Sequence, residues 1–469
     1  MSGVLLASVP SSIRNANPLL GQLYLAASLR AKGIEVGLLD LASLYGPRDV
    51  TALARALDEQ QPEVLGLTLF TETALPGYDL LHQLGRRDGV CVVAGGPHPT
   101  AEPRETLEHG FDLVVLGEGE ETLVELVRAL RDGVKPASVP GLAWLDEGGS
   151  LRTSSRRHLP ADLDHLASPA SVLDLWERDR YRPQGSTNVL TPALITSRGC
   201  PGRCAFCANH VSGRRYRFHS VERVVEEAAG WQERHGATVF FFQDTSFTAH
   251  RERLIELCEG LADLDRPLTW ICKSRCDHLD SERARAVADA GCSTVFLGVE
   301  SGAPAVLARI GKDITLGGIE GSLIAAREAG LRTYVHLMFG FPDETVAELD
   351  ETLALMERLG PLIDGYGPGG VLVPYPGTAI YRAHHEALGC TRWWLDRGRL
   401  ASVTEPFRRD GETTPTTVDD VLALHAEIEN GALAANLVPY ADGVRAAIDR
   451  CLAFRRAHNR RMLETPRRS

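Results

Sequence analysis

The sequence contains no long hydrophobic run. Its apolar stretches, such as residues 239–242, have the length of a strand, whereas a membrane-spanning helix needs roughly 20 apolar residues. No basic residue precedes the short apolar run that follows Met1, Ser2 and Gly3, and that run leads into a strand and a helix instead of a cleavage site, which is unlike a secretory signal. We therefore expect a soluble, cytoplasmic protein with no membrane partner.

Cysteine is scarce, and basic residues are outnumbered by acidic ones. Ten cysteines in 469 residues are too few for a disulfide-stabilised scaffold. The 50 Lys and Arg residues against 62 Asp and Glu give a net charge of −12 at pH 7, which argues against nucleic acid as a main partner and suits a cationic small molecule. With 44% hydrophobic and 24% charged residues, the chain can bury a full core, and its length fits two or three domains.

A strand-then-helix pattern repeats through the first 135 residues. The predicted strands are 4–10, 34–39, 64–70, 90–95 and 113–117. Such alternation is typical of parallel βαβ units, and continuously apolar strands are typical of a sheet covered by helices on both faces. We predict an α/β, doubly wound, Rossmann-like domain over residues 1–135. Its ligands should bind beyond the carboxyl ends of the strands, where the Gly-rich loops 95–100 and 117–120 follow.

A second strand-and-helix series follows a connecting segment. Residues 136–190 are richer in Pro, Ser, Arg and Asp and lack clear periodicity, so we predict a linker there. Further strands are predicted at 193–197, 239–243, 268–272, 294–299, 334–339 and 369–373. Six βα steps indicate a partial (β/α)6 TIM barrel over residues 191–387. Residues 388–469 are predicted to be mostly helical, with helices over 418–433 and 441–458.

Three cysteines cluster directly after the first predicted barrel strand. Cys200, Cys204 and Cys207 have the spacing Cys-x3-Cys-x2-Cys. Three thiolates on one loop would leave one iron of a [4Fe-4S] cluster without a protein ligand, and an external ligand could bind there. The alternatives are three reduced thiols, or a zinc site completed by a distant histidine such as His210.

The chain resembles the radical S-adenosylmethionine (SAM) superfamily, in particular the subclass with a B12-binding domain. Besides the cysteines, the matching stretches are Gly95–Thr100, Asp112–Glu120, Gly298–Gly302, Gly340–Thr345 and Pro374–Thr378. The resemblance covers residues 1 to about 385. It implies that the amine and carboxylate of SAM bind the open iron and that one electron from an external, flavodoxin-type donor cleaves SAM. The resulting 5'-deoxyadenosyl radical would take hydrogen from the substrate, with the protein positioning and shielding these species.

The same resemblance implies the SAM contacts, which are Phe206, Asp244, Glu300, Ser301, Gly340 and Pro374. Phe206 matches the aromatic position near the adenine, and Asp244 matches the acid that accepts hydrogen bonds from the methionine amine. Glu300 and Ser301 would meet the ribose or carboxylate, although Ser301 could instead cap a helix. Gly340 and Pro374 would expose backbone groups beside the adenine.

Three polar residues are candidates for catalysis. Tyr216 follows the cysteines closely enough to face the substrate, where a buried tyrosine could return a hydrogen atom or an electron to a product radical; a structural Tyr is the alternative. Lys273 and Arg275 have the strand parity to point into the barrel and bind hydroxyl groups or a leaving water. They could equally form a structural ion pair near Asp277.

The sequence leaves open whether the first domain binds cobalamin. No Asp-x-His-x-x-Gly motif, which would supply a histidine ligand to cobalt, occurs in the chain, and His98 lacks the upstream Asp. Relatives that bind cobalamin without this histidine and relatives that keep the domain without the cofactor are both compatible with the resemblance.

Two catalytic hypotheses follow. The first is radical dehydration of a 1,2-diol, because the resemblance extends to the aminoglycoside 1,2-diol dehydratases of the apramycin-pathway type. These act on the cationic aminosugar paromamine and work with an NADPH-dependent reductase. The alternative is a cobalamin-dependent C- or P-methyltransferase in natural-product biosynthesis. The intact cysteine triad argues against a third hypothesis, a scaffold without activity.

Overall fold

The structure of the protein is a computed structural model that describes residues 3–11, 19–43, 46, 48–177, 180–181, 192–367, 370–404 and 437–464. The helix predicted over 418–433 lies outside these residues. Among the helices of the described ranges, none combines the length and the apolar character that crossing a bilayer demands.

A seven-stranded sheet forms the first domain. Its strands are β1 (Val4–Ser8), β2 (Val36–Leu39), β3 (Val64–Thr68), β4 (Cys91–Gly95), β5 (Leu113–Val115), β6 (Leu142–Leu145) and β7 (Leu151–Thr153). Its helices are α1 (Leu20–Ala31), α2 (Val50–Gln60), α3 (Thr71–Leu84), α4 (Pro97–Ala101), α5 (Pro103–Glu108) and α6 (Glu120–Arg131). The strand order is β2-β1-β3-β4-β5-β6-β7, and β1 to β5 pair in parallel. The predicted doubly wound domain is confirmed.

The sheet continues past the predicted domain boundary at residue 135. Strands β6 and β7 form an antiparallel hairpin that adds to the edge of the sheet next to β5. Both strands lie in the segment 136–190 that we predict as a linker. They have four and three residues and no adjoining helical pattern, so nothing in the sequence marks them as part of the sheet.

Six parallel strands form the partial barrel of the second domain. They are β8 (Ala193–Leu194), β11 (Val239–Phe242), β12 (Thr269–Arg275), β13 (Cys292–Glu300), β14 (Arg332–Leu337) and β15 (Gly365–Tyr366), in the order β15-β14-β13-β12-β11-β8. A two-stranded antiparallel pair, β9 (Ser197–Arg198) and β10 (Arg217–Phe218), lies beyond β8. The outer helices are α7 (Val221–His235), α8 (Arg251–Ala262), α9 (Ser281–Asp289), α10 (Pro304–Arg309), α11 (Leu316–Glu328) and α12 (Val346–Leu359).

The sixth strand is displaced from its predicted position at 369–373. It spans Gly365–Tyr366 instead, and Val371 makes only an isolated bridge to Phe339. The remaining helices are α13 (Ala379–His384), α14 (Arg397–Thr404) and α15 (Asp442–Glu464). Helix α15 matches the helix predicted over 441–458. Its Asn459 accepts from Tyr366 N (2.8 Å) and donates to Tyr366 O (3.0 Å), so this side chain closes the edge of β15 as a further strand would.

Buried ion pairs join the two domains. Glu118 and Glu120 follow β5, and both bind Arg198 of β9, at 3.1 Å and 2.6 Å respectively. Glu118 also pairs with Arg217 of β10, which is 1% exposed. These contacts place the carboxyl ends of the first sheet against the loop that carries the three cysteines.

Candidate active site

The three cysteines lie on one loop at the carboxyl end of the barrel, hereafter the cysteine loop (200–207). Cys200, Cys204 and Cys207 form no disulfide. A Cβ built on Gly202 would lie 3.3 Å from the Sγ of Cys200 and 3.9 Å from the Sγ of Cys204, so these two sulfurs face a common point. Burial raises the pKa of the Cys204 thiol, whereas Cys207 is exposed.

Neighbouring backbone holds the cysteine loop in place. Cys200 N donates to Gly213 O (3.2 Å), and Ala205 N donates to Ile310 O (2.8 Å). Gly199 has a φ of +85°, and a Cβ there would be 2.1 Å from Arg215 O. Only glycine fits this position, because both its left-handed conformation and the closeness of the opposing carbonyl exclude a side chain.

The three thiols suit an iron-sulfur cluster better than a structural zinc site. A structural zinc ion takes four protein ligands, whereas three cysteines can bind three irons of a [4Fe-4S] cluster and leave the fourth iron open. The Nε2 of His210, the alternative zinc ligand, donates to Pro97 O at 2.7 Å.

Two buried cations lie beside Cys204. Arg275 Nη1 is 3.9 Å from Cys204 Sγ, while the rest of its guanidinium binds Asp277 twice at 2.9 Å and Lys312 O at 2.8 Å. The structural ion pair that the sequence left open for Arg275 is therefore present. Lys312 is 4% exposed and donates from Nζ to Glu300 Oε1 at 2.9 Å. Burial alone would lower the pKa of Lys312, but the charge and hydrogen bond of Glu300 outweigh it and hold this pKa above its ordinary value.

Glu300 is the last residue of strand β13 and Ser301 follows it, and the two side chains lie in different environments. Glu300 has a φ of +71° next to a register shift in β13, and its carboxylate is committed to Lys312. The Ser301 hydroxyl is fully buried, lies 3.1 Å from Thr352 Oγ1 and accepts from Ala303 N at 3.1 Å. Ser301 thus stabilises the turn before α10, whose N-cap is Ala303 and which has no side-chain cap.

Phe206 and Gly340 come together across the site. The ring of Phe206 lies 5.9 Å from that of Phe341, which directly follows Gly340. Gly340 O accepts from Tyr440 Oη at 2.9 Å, and Gly340 N donates to Glu344 at 2.6 Å.

The backbone carbonyl of Pro374 also accepts a hydrogen bond from a side chain, because Trp393 Nε1 donates to it at 2.8 Å. We expected the backbone of Gly340 and Pro374 to be exposed beside the adenine. The structure corrects this expectation: side chains from the C-terminal region occupy both carbonyls.

Asp244 is buried at the end of β11, with 1% of its surface exposed. It accepts from Thr196 N (3.0 Å), from Thr196 Oγ1 (2.8 Å) and from Ser197 Oγ. Burial raises its pKa. Arg253 donates to Thr196 O at 3.1 Å and to His219 O at 2.9 Å. Asp244 and Arg253 therefore fix the strand that leads into the cysteine loop, and Asp244 lies at the site without projecting freely into it.

Tyr216 and Lys273 lie on two sides of this region. The Tyr216 hydroxyl is buried near the Ser197 side chain and makes no hydrogen bond of good geometry among the described atoms. Burial, with the nearby Asp244 charge, raises its pKa to about 12. Lys273 donates to Gln243 Oε1 at 2.7 Å and lies 5.1 Å from the centre of the Phe241 ring. Burial lowers the pKa of Lys273.

A mostly apolar cavity of about 320 Å³ opens at the carboxyl ends of β3, β4 and β5. Gly66, Gly95 and Gly117 contribute to its wall, and so do Val211 and Ser212, which follow the cysteine loop. The cavity therefore lies between the first sheet and the site in the barrel.

His98 does not line this cavity. Its side chain is fully buried, with Nε2 at 3.0 Å from Tyr78 Oη and 3.3 Å from Glu105 Oε1. It belongs to the core of the first domain, so it is not placed to bind a metal in the cavity.

Sequence reasoning missed Lys312, Arg253 and Gln243. Lys312 follows helix α10 and reaches Glu300 only because the chain folds back over β13. Arg253 is the third residue of α8, which resembles any solvated helix start in sequence. Only Gln243 could have been predicted as a site residue, since it directly precedes Asp244 at the end of a strand.

Comparisons with known proteins give two family matches. The model of the radical SAM superfamily matches residues 194–356, and that of the B12 binding domain matches residues 10–127. An uncharacterized methyltransferase of Pyrococcus horikoshii is 32% identical over 379 residues, covering 80% of this chain and 80% of the relative.

The chain is also similar in sequence to a cyclase and in fold to a methyltransferase of known structure. An anaerobic magnesium-protoporphyrin IX monomethyl ester cyclase of Cereibacter sphaeroides is 28% identical over 370 residues, covering 76% of this chain and 59% of the cyclase. The structure of the radical SAM methyltransferase TsrM from Kitasatospora setae superposes with a TM-score of 0.69 at 22% identity, covering 83% of this chain and 77% of that protein. This likeness confirms the two-domain architecture.

Proposed function

Because the chain belongs to the radical SAM superfamily and carries a B12-binding domain, we propose that it is a cobalamin-dependent radical SAM methyltransferase that acts on a small molecule. The position of the apolar cavity carries this proposal. The cavity opens at the carboxyl ends of the first sheet, and its wall includes Arg198, shortly before the cysteine loop, and Val211 and Ser212, shortly after it. A methyl donor bound there would lie next to the SAM site. The methyltransferase of Pyrococcus horikoshii supports the same reaction class.

The residues of the cavity fit part of cobalamin. A Cβ on Gly95 would meet nothing closer than 3.9 Å, so any side chain there would project into the cavity, and Gly117 has a φ of +77°. These glycines keep one wall flat, which suits the planar base of the cofactor's nucleotide tail. Since His98 is turned into the core, we propose that binding uses no protein ligand from this histidine.

When bound, the cluster and SAM supply the radical chemistry that removes a hydrogen atom, and cobalamin supplies the methyl group. The protein's own residues hold and shield these groups. The cations Arg275 and Lys312 lie against the cysteine loop, where they favour negative charge on the sulfurs. Phe206 and Phe341 form an apolar wall that excludes water from the same side.

A variant that fills the cavity tests the proposal. Gly95→Leu should lose cobalamin, because its side chain would enter the space the base requires. Gly321→Leu is the matched control, since Gly321 on α11 faces open space far from the cavity. Each protein is loaded with hydroxocobalamin, desalted and measured by its visible absorption. Retention of cobalamin by Gly95→Leu, or no retention by the unmodified protein, would contradict cobalamin binding at this cavity.

Radical dehydration of a 1,2-diol is the second candidate, and the orphaned hydroxyl of Tyr216 favours it. With its pKa raised to about 12 by burial, the phenol stays protonated at neutral pH and could give a hydrogen atom to a product radical. One electron from the external donor and one proton from solvent would then restore the phenol. The substrate would be a cationic aminosugar such as paromamine, and an NADPH-dependent reductase would consume the ketone product.

Product analysis separates the two reactions. The reconstituted enzyme is incubated anaerobically with paromamine and SAM, with and without cobalamin. Methyl transfer gives a product heavier by one methylene together with S-adenosylhomocysteine, and it requires cobalamin. Dehydration gives a product lighter by one water, forms only 5'-deoxyadenosine from SAM and does not depend on cobalamin.

A further inference from the structure

We propose that four arginines around the cysteine loop, Arg203, Arg214, Arg215 and Arg382, form the docking surface for an acidic one-electron carrier protein. All four side chains are exposed. None of them forms an ion pair with an acidic side chain in the part of the chain that the structure describes. They are termed the basic patch below.

The basic patch is built on backbone that touches the cysteine loop. Arg203 lies within the loop, directly before Cys204. Arg214 and Arg215 follow Gly213, whose carbonyl accepts from Cys200 N at 3.2 Å. Arg382 belongs to α13, and Ile380 of the same helix donates from its N to Ala205 O at 3.0 Å. The four cations therefore surround the position where a cluster would bind.

The charge of the patch is opposite to that of the whole molecule. The chain carries a net charge of −12, and ten of the exposed arginines elsewhere in the described residues are neutralised by an acidic partner, as Arg251 is by Glu282 at 2.5 Å. An unpaired basic surface on an acidic protein orients an approaching acidic partner, because the local potential is reversed there.

A radical SAM reaction needs such a partner because it consumes electrons. This inference rests on the radical SAM function, in which each reductive cleavage of SAM consumes one electron from the cluster. The carrier would be oxidised by one electron while the cluster is reduced by one, and no bond forms between them. Docking beside the cysteine loop keeps the transfer distance short.

The test compares two triple variants of the reconstituted protein. Arg203→Gln, Arg214→Gln and Arg215→Gln are combined in one chain; Arg55→Gln, Arg156→Gln and Arg285→Gln form the control. The control arginines are also exposed and make no ion pair within the described residues, so both variants lose the same charge. Stopped-flow absorption at low salt follows reduction of the cluster by reduced flavodoxin and, separately, by reduced methyl viologen.

The patch variant should be reduced by flavodoxin about ten-fold more slowly than the unmodified protein, and the difference should shrink at high salt. Its reduction by methyl viologen should not be slowed, because removing positive charge lessens the repulsion of this small cation. Arg382→Glu, which leaves the cysteine loop intact, should also slow the flavodoxin reaction. Equal rates for patch variant and unmodified protein, or equal slowing in the control, would overturn the proposal. The substrate plays no part in the measurement, so failure of the methyltransferase proposal would not affect its outcome.

Discussion

Tyr216 is the residue whose surroundings bear most directly on the choice between the two reactions. Its hydroxyl is buried without a partner, and an unmet hydrogen-bonding group costs about 1–3 kcal/mol. A substrate or product bound at the site would supply that partner.

Tyr216→Phe should still cleave SAM, because no cluster or SAM contact depends on the hydroxyl. If the enzyme dehydrates a diol, turnover to product should fall by about ten-fold or more, as for other removed proton or hydrogen donors. If it transfers a methyl group, product formation should stay close to that of the unmodified protein. Quantifying 5'-deoxyadenosine and product in the same reaction distinguishes these results. Loss of SAM cleavage itself would show that Tyr216 supports the cluster instead.

At the scale of secondary structure, the sequence predicts what depends on local pattern. The five parallel strands of the first sheet and the position of the cysteine loop after β8 follow from runs of apolar residues and motif spacing. Strands β6 and β7 do not, because they are short and lie in a segment without the repeating strand-helix pattern, and β15 lies ahead of its predicted position. Two contacts of the site join segments that are distant in sequence: Lys312 pairs with Glu300, and Tyr440 donates to Gly340 O. No local sequence pattern predicts them.

Asn459 of helix α15 makes the two backbone hydrogen bonds that a further strand would make with β15. We therefore expect its removal to destabilise the fold. Asn459→Leu should lower the free energy of unfolding by about 2 kcal/mol, because Tyr366 N and O would both lose their partner while buried. Arg460→Ala, an exposed position on the same helix, is the control and should have little effect. Urea denaturation measures both. An unchanged unfolding midpoint for Asn459→Leu would mean that the edge of β15 does not need this side chain.

At the scale of the whole molecule, the two domains meet through buried charge. Glu118 and Glu120 neutralise Arg198 and Arg217 at the interface. Unlike Glu118 and Glu120, Glu227 of α7 has no arginine paired with it in the described residues, and its Oε1 is buried without a hydrogen-bond partner. It faces Tyr24 of the first domain, Arg223 and Ser168. Burial raises the pKa of Glu227 from 4.5 to about 7.

The raised pKa of Glu227 makes the folded protein bind a proton more tightly than the unfolded chain. Its contribution should therefore be most favourable below the unfolded pKa of 4.5 and should be lost as pH rises towards about 7. Glu227→Gln should remove this dependence and raise the free energy of unfolding at pH 8 by about 3 kcal/mol. Urea denaturation between pH 5 and pH 8 provides the check, with Glu226→Gln, the adjacent residue on α7, as control. A pH dependence equal to that of the unmodified protein would refute the assignment.

The most direct test of the whole scheme is electron paramagnetic resonance of the anaerobically reconstituted and reduced protein, recorded with and without SAM and accompanied by iron analysis. We expect about four irons per chain, the signal of a reduced [4Fe-4S] cluster and a clear change of that signal when SAM binds the open iron. Cys204→Ala should lose the cluster, whereas Cys91→Ala should keep it. A protein that binds zinc in place of iron, or a cluster whose signal ignores SAM, would contradict the assignment of Cys200, Cys204 and Cys207 as its ligands.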